Sequence, residues 1–154
     1  PLVLEFLPKS LSKQESDALA SKIEEGFDRN GFGLWAVEIK ETNEFIGFTG
    51  LSVPTFESSF TPCVEIGWRL SSQHWGNGYA TEVAKKSIEL GFEHFKLNEI
   101  LSFTVPDNIR SRRVMEKIGM SHNPDDDFEH PKLPKGDRLS RHVLYRLTKE
   151  THST

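Results

Sequence analysis

Residues 73–81 of this 154-residue chain, with the sequence QHWGNGYAT, combine residue types that suit the binding of an anion. Gly76 and Gly78 permit backbone conformations that other residues avoid, and they let a ligand approach the backbone closely. The apolar periodicity that follows predicts a helix from Tyr79, whose first turn would present free N–H groups and the positive end of a dipole. Phosphate or pyrophosphate suits such a site, although a turn that only reverses the chain would have the same spacing.

Two well-known phosphate-binding motifs do not fit this turn. A P-loop requires a lysine directly after its second glycine, where this chain has Tyr79. A dinucleotide-binding fingerprint requires a third glycine three residues after Gly78, where Thr81 stands. A nucleotide-binding domain is therefore the least favoured alternative.

Three polar side chains outside the turn are candidates for catalysis or ligand contact. Asn108 and Ser111 are three residues apart in a predicted helix and therefore share one face. Glu65 lies in a predicted strand, where a carboxylate either acts as a general base or is only solvated or paired with a cation. The segment 125–130 (DDDFEH) is a second source of a base, an acidic lip for a cation, or a solvated charge run. The six histidines lack the spacing of metal ligands, so no metal is expected.

The elements that would position these residues follow from the hydrophobic periodicity. A capping box at residues 12–15 (SKQE) and apolar residues at helical spacing predict an amphipathic helix over 13–29. A polar turn at 41–44 predicts an antiparallel hairpin between the strands beside it. The remaining pattern predicts strands at 34–40, 45–51, 64–70, 100–105 and 142–147, helices at 79–95 and 109–118, a loop at 121–138 and a frayed tail at 148–154.

This order of elements predicts a single α+β domain over residues 1–147. The hairpin turn is too short for parallel pairing, so the sheet should be mixed and largely antiparallel, and not a regular βαβ repeat. The net charge of 19 − 23 = −4 does not favour nucleic-acid binding. No apolar run approaches the roughly 20 residues of a membrane span. The single cysteine, Cys63, excludes an internal disulfide and fits a cytoplasmic protein.

Several motifs, in the same order along the chain, resemble those of GNAT N-acetyltransferases, which bind acetyl-CoA. The glycine turn matches the Gln/Arg-x-x-Gly-x-Gly/Ala motif of that family. The flanking stretches are similar to the subfamily that acetylates ribosomal-protein N-termini, and the resemblance extends over residues 1–147. The matching stretches are EIGW at 65–68, QHWGNG at 73–78, GYATE at 78–82, Asn108-x-x-Ser111, and EKIGM at 116–120.

The resemblance implies a GNAT-like fold in which a central strand pair splays apart and helices cover both faces of the sheet. Acetyl-CoA would enter the V-shaped cleft between strands 64–70 and 100–105, and its pantetheine arm would pair with the backbone like an added strand. Its pyrophosphate would rest on the N–H groups of residues 74–79. The implied acetyl-CoA-binding residues are Trp68, Arg69, Leu70, Gln73, His74, Gly76, Asn77, Gly78, Tyr79, Ala80, Thr81, Asn108 and Ser111.

The reaction implied by the resemblance is direct transfer of acetyl to a primary amine, on a protein N-terminus or on a small molecule. Many family members protonate the leaving thiolate with a tyrosine, but this chain has Met115 at that place. Ser111 is therefore the expected acid, or it only binds coenzyme A, and Glu65 is the expected base. Without an acid, the domain would instead be a non-catalytic sensor of acyl-CoA.

Family members usually begin with a strand and a helix before a stretch like residues 1–6 (PLVLEF). The chain starts inside that region, so this strand and helix are expected to be missing. A sheet edge left open in this way would favour a homodimer through edge pairing.

Overall fold

The computed structural model describes residues 12–153, which form four α-helices and seven β-strands. The helices are Lys13–Asn30 (α1), Tyr79–Glu93 (α2), Ile109–Lys117 (α3) and Lys149–Ser153 (α4). The strands are Leu34–Ile39 (β1), Glu44–Ser52 (β2), Glu65–Leu70 (β3), Glu99–Thr104 (β4), Ser121–His122 (β5), Phe128–Glu129 (β6) and Arg141–Thr148 (β7).

The strands form one mixed sheet in the order β1-β2-β3-β4-β7-β5, and β6 also pairs with β7. Each neighbouring pair is antiparallel except β3 and β4, which run parallel. The predicted hairpin is confirmed, because Leu34 lies opposite Gly50 and Ile39 lies opposite Glu44. The predicted fold class, a mixed and largely antiparallel α+β sheet, is confirmed as well.

Capping by side chains and glycine sets the limits of α1. The Ser12 Oγ accepts a hydrogen bond from the Glu15 N–H at 3.1 Å, so the predicted start of the helix at Lys13 is confirmed. At the other end, Gly31 adopts a left-handed conformation with φ 78° and donates its N–H to the Phe27 carbonyl.

The hydrophobic core lies between one face of the sheet and the helices α2 and α3. Ile66 of β3, Ile88 of α2 and Ile100 of β4 are at most 1% exposed, and they share a cluster with Met115 of α3. Burying each such side chain contributes about 1.5–3 kcal/mol. This packing holds β3, β4 and the start of α2 in fixed relative positions.

The contacts of the two remaining helices place them on the same face of the sheet. Phe27 of α1 packs edge-on against Trp35 of β1, with 5.8 Å between the ring centroids. His152 of α4 lies 5.1 Å from the ring of Phe92 in α2. In the described part of the chain, the opposite face carries the connections that lead into β3 and β7, and the second helical layer implied by the resemblance is not among these residues.

The segment 121–138, predicted to be a loop, contains two short strands, so this prediction is wrong in part. Ser121 pairs with Arg146, and Phe128 pairs with His142, so β7 recruits both strands. Two-residue strands are too short to produce an alternating hydrophobic pattern, and they form here because β7 offers them backbone partners.

The tail predicted to be frayed at 148–154 forms α4 over its described residues. The Thr148 Oγ1 accepts the Thr151 N–H at 3.2 Å and thereby caps the helix. The expected loss of an N-terminal strand and helix concerns residues outside those that the structure describes.

Candidate functional site

A cleft opens where the two central strands stop pairing. The strands β3 and β4 pair at Glu65 and Leu101, and the Leu101 N–H donates to the Val64 carbonyl at 2.9 Å. One step further, the Ser102 Oγ donates to the Ile66 carbonyl at 3.0 Å, so a side chain replaces the backbone ladder. Beyond this point the strands line a cavity of about 690 Å³, a volume that suits a small-molecule ligand.

The glycine turn at one end of the cavity depends on two left-handed residues. Gly76 has φ +83° and Gly78 has φ +78°, and a Cβ built at either residue would meet no atom within 4 Å. The requirement for glycine here is therefore one of backbone conformation and not of space. Both glycines line the cavity.

The backbone N–H groups after the turn are available to an anion. The first bond of α2 runs from the Glu82 N–H to the Gly78 carbonyl at 3.0 Å. The N–H groups of Tyr79, Ala80 and Thr81 precede this bond, and these residues line the cavity. They meet an anion at the positive end of the helix dipole.

The predicted anion site is narrower than residues 74–79, because two of its N–H groups are already used. The His74 N–H donates to the Ser71 carbonyl at 3.0 Å, and the Trp75 N–H donates to the Ser72 carbonyl at 3.3 Å. The His74 imidazole lines the cavity and lies 3.3 Å from a carboxylate oxygen of Glu44. The cradle therefore begins at Gly76.

Two of the predicted acetyl-CoA residues do not line the cavity. Gln73 and Asn77 are both exposed and lie outside the cavity lining. The Asn77 Nδ2 donates to the His74 carbonyl at 3.1 Å, so this side chain stabilises the turn itself.

Basic side chains gather on the cavity wall beside the turn. The Arg110 guanidinium lies over the Trp75 ring at 4.0 Å, and the Trp75 Nε1 donates to the Leu70 carbonyl at 3.0 Å. Such a cation–aromatic contact stabilises a defined orientation of both groups. Further basic residues in the cavity lining are Arg113 and Lys117 of α3 and, on the Glu65 side of β3, Arg69, whose guanidinium lies over the Phe48 ring at 5.4 Å. This wall suits a ligand with several phosphates.

Asn108 has a structural role at the start of α3. Its Oδ1 accepts the Ser111 N–H at 3.3 Å, and its Nδ2 donates to the Thr104 Oγ1 at 3.1 Å. Both ends of the amide are thus engaged in capping the helix and fixing the end of β4. The Ser111 hydroxyl has no hydrogen-bond partner among residues 12–153 and lines the cavity.

Met115, at the place where a tyrosine acid would stand, is 1% exposed and belongs to the core. It has no proton to donate, so Ser111 is the nearest hydroxyl on α3 that lines the cavity. The structure therefore brings Ser111, Trp68, Arg69 and Leu70 to the walls of the same cleft.

Glu65 points into the cavity from β3. Burial raises the pKa of its carboxyl to about 8, so the group is mostly neutral at pH 7. Gly67 lies two residues further on the same side of the strand, and a Cβ there would meet nothing within 4 Å. The floor of the cleft is open at Gly67 and holds one titratable acid beside it.

None of the acidic residues at 125–129 lines the cavity, and three of their four carboxylates contact groups within the protein. Asp126 contacts Arg146 at 3.1 Å, and Asp127 contacts His122 at 2.7 Å. The Glu129 Oε2 accepts the Ser140 hydroxyl proton at 2.6 Å. The segment is therefore not the acidic lip that one interpretation of the sequence suggested.

Two histidines line the cavity on the side away from α2 and α3, and of these His130 belongs to the stretch 125–130 that the sequence indicated as a second source of a base. They are His130, which follows β6, and His142 in β7. The strand alternation was the available signal: Val143, Tyr145 and Leu147 are buried in the core, so His142 must face the other side of the sheet. His130 reaches the same place through a fold-back that no local pattern encodes.

The described residues contain no group of three His, Cys, Asp or Glu side chains that could hold a metal ion. Among these same residues, no helix has the length and apolar character that crossing a membrane requires.

Comparison with known proteins gives a consistent family. Residues 1–121 match the family model described as an acetyltransferase (GNAT) domain. Among curated proteins, the FsC-acetyl coenzyme A-N(2)-transacetylase of Aspergillus fumigatus is 37% identical over 124 residues, which are 78% of this chain and 52% of that protein. The chain spans about half the length of the curated relatives it matches.

Solved structures share the fold. An acetyltransferase from Agrobacterium tumefaciens superposes with a TM-score of 0.70 at 27% identity, covering 92% of this chain and 74% of that chain. The spermidine N-acetyltransferase from Vibrio cholerae, solved in complex with CoA and spermine, gives a TM-score of 0.73 at 15% identity and covers 99% of this chain and 86% of that chain. At that identity the second match establishes the fold alone.

Proposed function

This chain belongs to the GNAT acetyltransferase family, and from that membership we propose that it transfers an acetyl group from acetyl-CoA to a primary amine. The observation that carries the proposal is the splayed cleft, which ends in a glycine turn and a basic wall. The cleft offers an unpaired strand edge, an anion cradle and several cations in one cavity of about 690 Å³. Acetyl-CoA has an extended amide-containing arm, a pyrophosphate and a further phosphate that match these three features.

The donor would bind along β3. After Ile66, β3 pairs with β2 but not with β4 among the described residues. The pantetheine amides can therefore pair with the open edge of β3 near Trp68. The pyrophosphate would lie against the N–H groups from Gly76 to Thr81. Arg110, Arg113 and Lys117 would then lie near the outer phosphates.

The chemistry requires a neutral amine, an oxyanion donor and an acid. The amine nitrogen attacks the thioester carbon, and a backbone N–H near Trp68 would stabilise the oxyanion. When the carbon–sulfur bond breaks, the electron pair stays on sulfur, and Ser111 is the hydroxyl placed to protonate it. Glu65 would serve as a base only in its ionised form, which dominates above about pH 8.

The acceptor is a protein N-terminus or a small-molecule amine, and the charges in the cavity favour an amine with a single positive charge. Glu65 is the only acidic residue of the described cavity lining, and it is mostly neutral at pH 7. A polycation would gain little attraction there, while the basic wall would repel it.

The test is release of free thiol when the purified protein is given acetyl-CoA and a panel of amines and N-terminal peptides. Turnover with at least one amine, at a rate proportional to enzyme concentration, is the expected result. The second candidate function, a non-catalytic acyl-CoA sensor, is favoured by Met115 at the usual acid position. It requires calorimetric binding of acetyl-CoA without thiol release from any amine.

Ser111→Ala separates catalysis from binding within the proposed function. An acid role predicts a loss of kcat of roughly 10²-fold with little change in the KM for acetyl-CoA. A binding role predicts a raised KM with kcat near wild type, and this pattern would contradict the acid assignment. Ser121→Ala, an exposed serine on β5, is the matched control.

Three finer features belong to the same proposal. They are membership of the subfamily that acetylates ribosomal-protein N-termini, a cytoplasmic location and a homodimer. Sedimentation of the purified chain tests the dimer, and acetylation of a ribosomal-protein N-terminal peptide tests the subfamily.

A further inference from the structure

Two histidines lie together on the side of the cleft opposite α2 and α3. The rings of His130 and His142 are 5.1 Å apart between centroids, and both residues line the cavity. Phe103 of β4 lies 6.0 Å from His142, and Phe128 of β6 lies 5.4 Å from it. The pair is thus held among aromatic rings on the side of the sheet away from α2 and α3, where Arg69 of β3 also lines the cavity.

Backbone contacts fix the tautomer of each ring. The His142 Nδ1 lies 3.1 Å from the Ser140 carbonyl oxygen, which can only accept, so Nδ1 carries the proton. The His142 Nε2 therefore has a free lone pair when the ring is neutral. The His130 Nδ1 accepts the Lys132 N–H at 3.2 Å, so in that ring Nε2 carries the proton.

Burial favours the neutral form of both rings at pH 7. Burial is the largest cause that lowers the pKa of His142, while the Ser140 hydrogen bond and the Glu129 carboxylate oppose it. Burial also lowers the pKa of His130, with smaller contributions in the same direction from His142 and Lys132. From β4 and β6 the neighbours are the uncharged rings of Phe103 and Phe128.

We propose that His142 is the general base of the reaction and takes a proton from the acceptor ammonium through its Nε2, directly or through one water. This inference rests on the proposed acetyl transfer. One ammonium proton moves to Nε2, and the freed nitrogen lone pair forms the bond to the acetyl carbon. The carbon–sulfur electron pair leaves on sulfur, which takes the Ser111 hydroxyl proton. The second nitrogen proton restores the serine, and the third stays on the amide. The imidazolium then returns its proton to solvent.

His142 suits this task better than Glu65 near neutral pH. Its Nε2 is unprotonated at pH 7, and the Nδ1 contact with Ser140 orients the ring as in other catalytic histidines. Glu65 holds its own proton until about pH 8. His130, with its Nε2 proton, is a positioning residue that can donate to the acceptor or to a bridging water.

The test compares His142→Asn with His94→Asn in steady-state kinetics from pH 5.5 to 9. Asn can keep a donor near the Nδ1 position, so the contact with Ser140 survives while the basic Nε2 is lost. His94 is exposed and lies outside the cavity lining. We expect kcat to fall by roughly 10²-fold in His142→Asn, with acetyl-CoA affinity within twofold of wild type and His94→Asn unchanged.

The dependence of kcat on pH distinguishes a base from a residue that only stabilises the fold, because only loss of the base would remove the acid limb of the profile. In wild type, kcat should already be level at pH 7 and fall on the acid side, and Glu65→Gln should keep this acid limb. His142→Ala should recover part of its kcat when imidazole is added. A kcat within twofold of wild type in His142→Asn, or a loss that only follows a lower Tm and lower donor affinity without imidazole recovery, overturns the proposal. Wild-type protein that binds acetyl-CoA but releases no thiol with any amine overturns the proposed function instead, and the base with it.

Discussion

At the scale of single residues, the positive φ of Gly76 and Gly78 leads to a sharp prediction. A left-handed conformation costs an L-residue roughly 1–2 kcal/mol, so alanine at either position should shift the turn and misplace the N–H groups that would bind the pyrophosphate. We expect acetyl-CoA affinity to fall by about tenfold or more in Gly76→Ala and in Gly78→Ala, measured by calorimetry.

Gly136→Ala is the matched control for this experiment. Gly136 has φ +86°, its Cβ would also meet nothing within 4 Å, and it lies outside the cavity lining. It should lose a similar amount of Tm while acetyl-CoA affinity stays unchanged. Equal affinity in all three variants would remove the anion-site assignment.

The neutral Glu65 carboxyl predicts an unusual dependence of stability on pH. In the unfolded chain a glutamate loses its proton near its ordinary pKa of about 4.3, whereas burial in the folded protein delays this to about 8. The folded state binds more protons across that window, so the free energy of unfolding contributed by Glu65 falls as pH rises from about 4.3 to 8.

Glu65→Gln should remove this dependence. The Tm of Glu65→Gln minus that of wild type should grow from near zero at pH 4.5 to a clear gain at pH 8, measured in thermal melts. Glu38→Gln, at an exposed position on β1, should show no such trend. A constant Tm difference across the pH range would mean that the carboxyl is ionised in the folded protein.

At the scale of elements, the cleft between β3 and β4 is open because β3 carries no side chain at Gly67. Gly67→Leu would put a side chain into open space on the cleft floor without a clash or a left-handed φ. We expect the Tm to be retained while acetyl-CoA binding and thiol release are lost, since the side chain would occupy the ligand's position.

Gly26→Leu provides the control for Gly67→Leu. Gly26 lies in α1, and a Cβ there also meets nothing within 4 Å, so a leucine should be tolerated in both places. Unchanged acetyl-CoA affinity in Gly67→Leu would show that the ligand does not pass over the floor of the cleft.

The elements that the sequence predicted correctly are those with a local signal. The capping box at Ser12 and the change of period at Tyr79 each depend on neighbouring residues alone. The strands β5 and β6 could not be predicted, because their existence depends on backbone partners in β7 that lie 12 to 25 residues away. The cleft likewise depends on the distant pairing of β3 with β4, so it was expected from the family resemblance and not from the local pattern of either strand.

At the scale of the whole molecule, the cavity's charge balance predicts which acceptors react. Four Arg and Lys side chains line the described cavity, and its one acidic residue, Glu65, is mostly neutral at pH 7. We expect kcat/KM for spermidine to be at least about tenfold below that for a monoamine of similar size, because each extra charge meets repulsion of about 1 kcal/mol or more at close range.

Salt provides the internal check on this acceptor preference. Raising ionic strength from 0.05 to 0.5 M, roughly a threefold shorter screening length, should narrow the difference between spermidine and the monoamine. A higher kcat/KM for spermidine at low salt would contradict the charge assignment and would indicate ionised acids near the acceptor.

The pairing of His130 with His142 on the acceptor side could not be predicted from the sequence, because long-range folding builds it. His130 and His142 are twelve residues apart and meet only because β6 folds back onto β7. The donor side, in contrast, is concentrated in one continuous stretch around Gly76 and Gly78. The glycine turn therefore has a local signal in the sequence, whereas the histidine pair has none.

The hydrogen bond from Ser102 to the Ile66 carbonyl marks the point where the backbones of β3 and β4 stop pairing with each other. A donor that enters there completes the sheet, so ligand occupancy and persistence of the fold are coupled by mass action. At a donor concentration of a hundred times Kd, this coupling adds about 2.7 kcal/mol to stability. The abundance of such a protein in a cell would then follow the metabolic supply of its donor, since molecules without bound donor unfold more often and are degraded sooner.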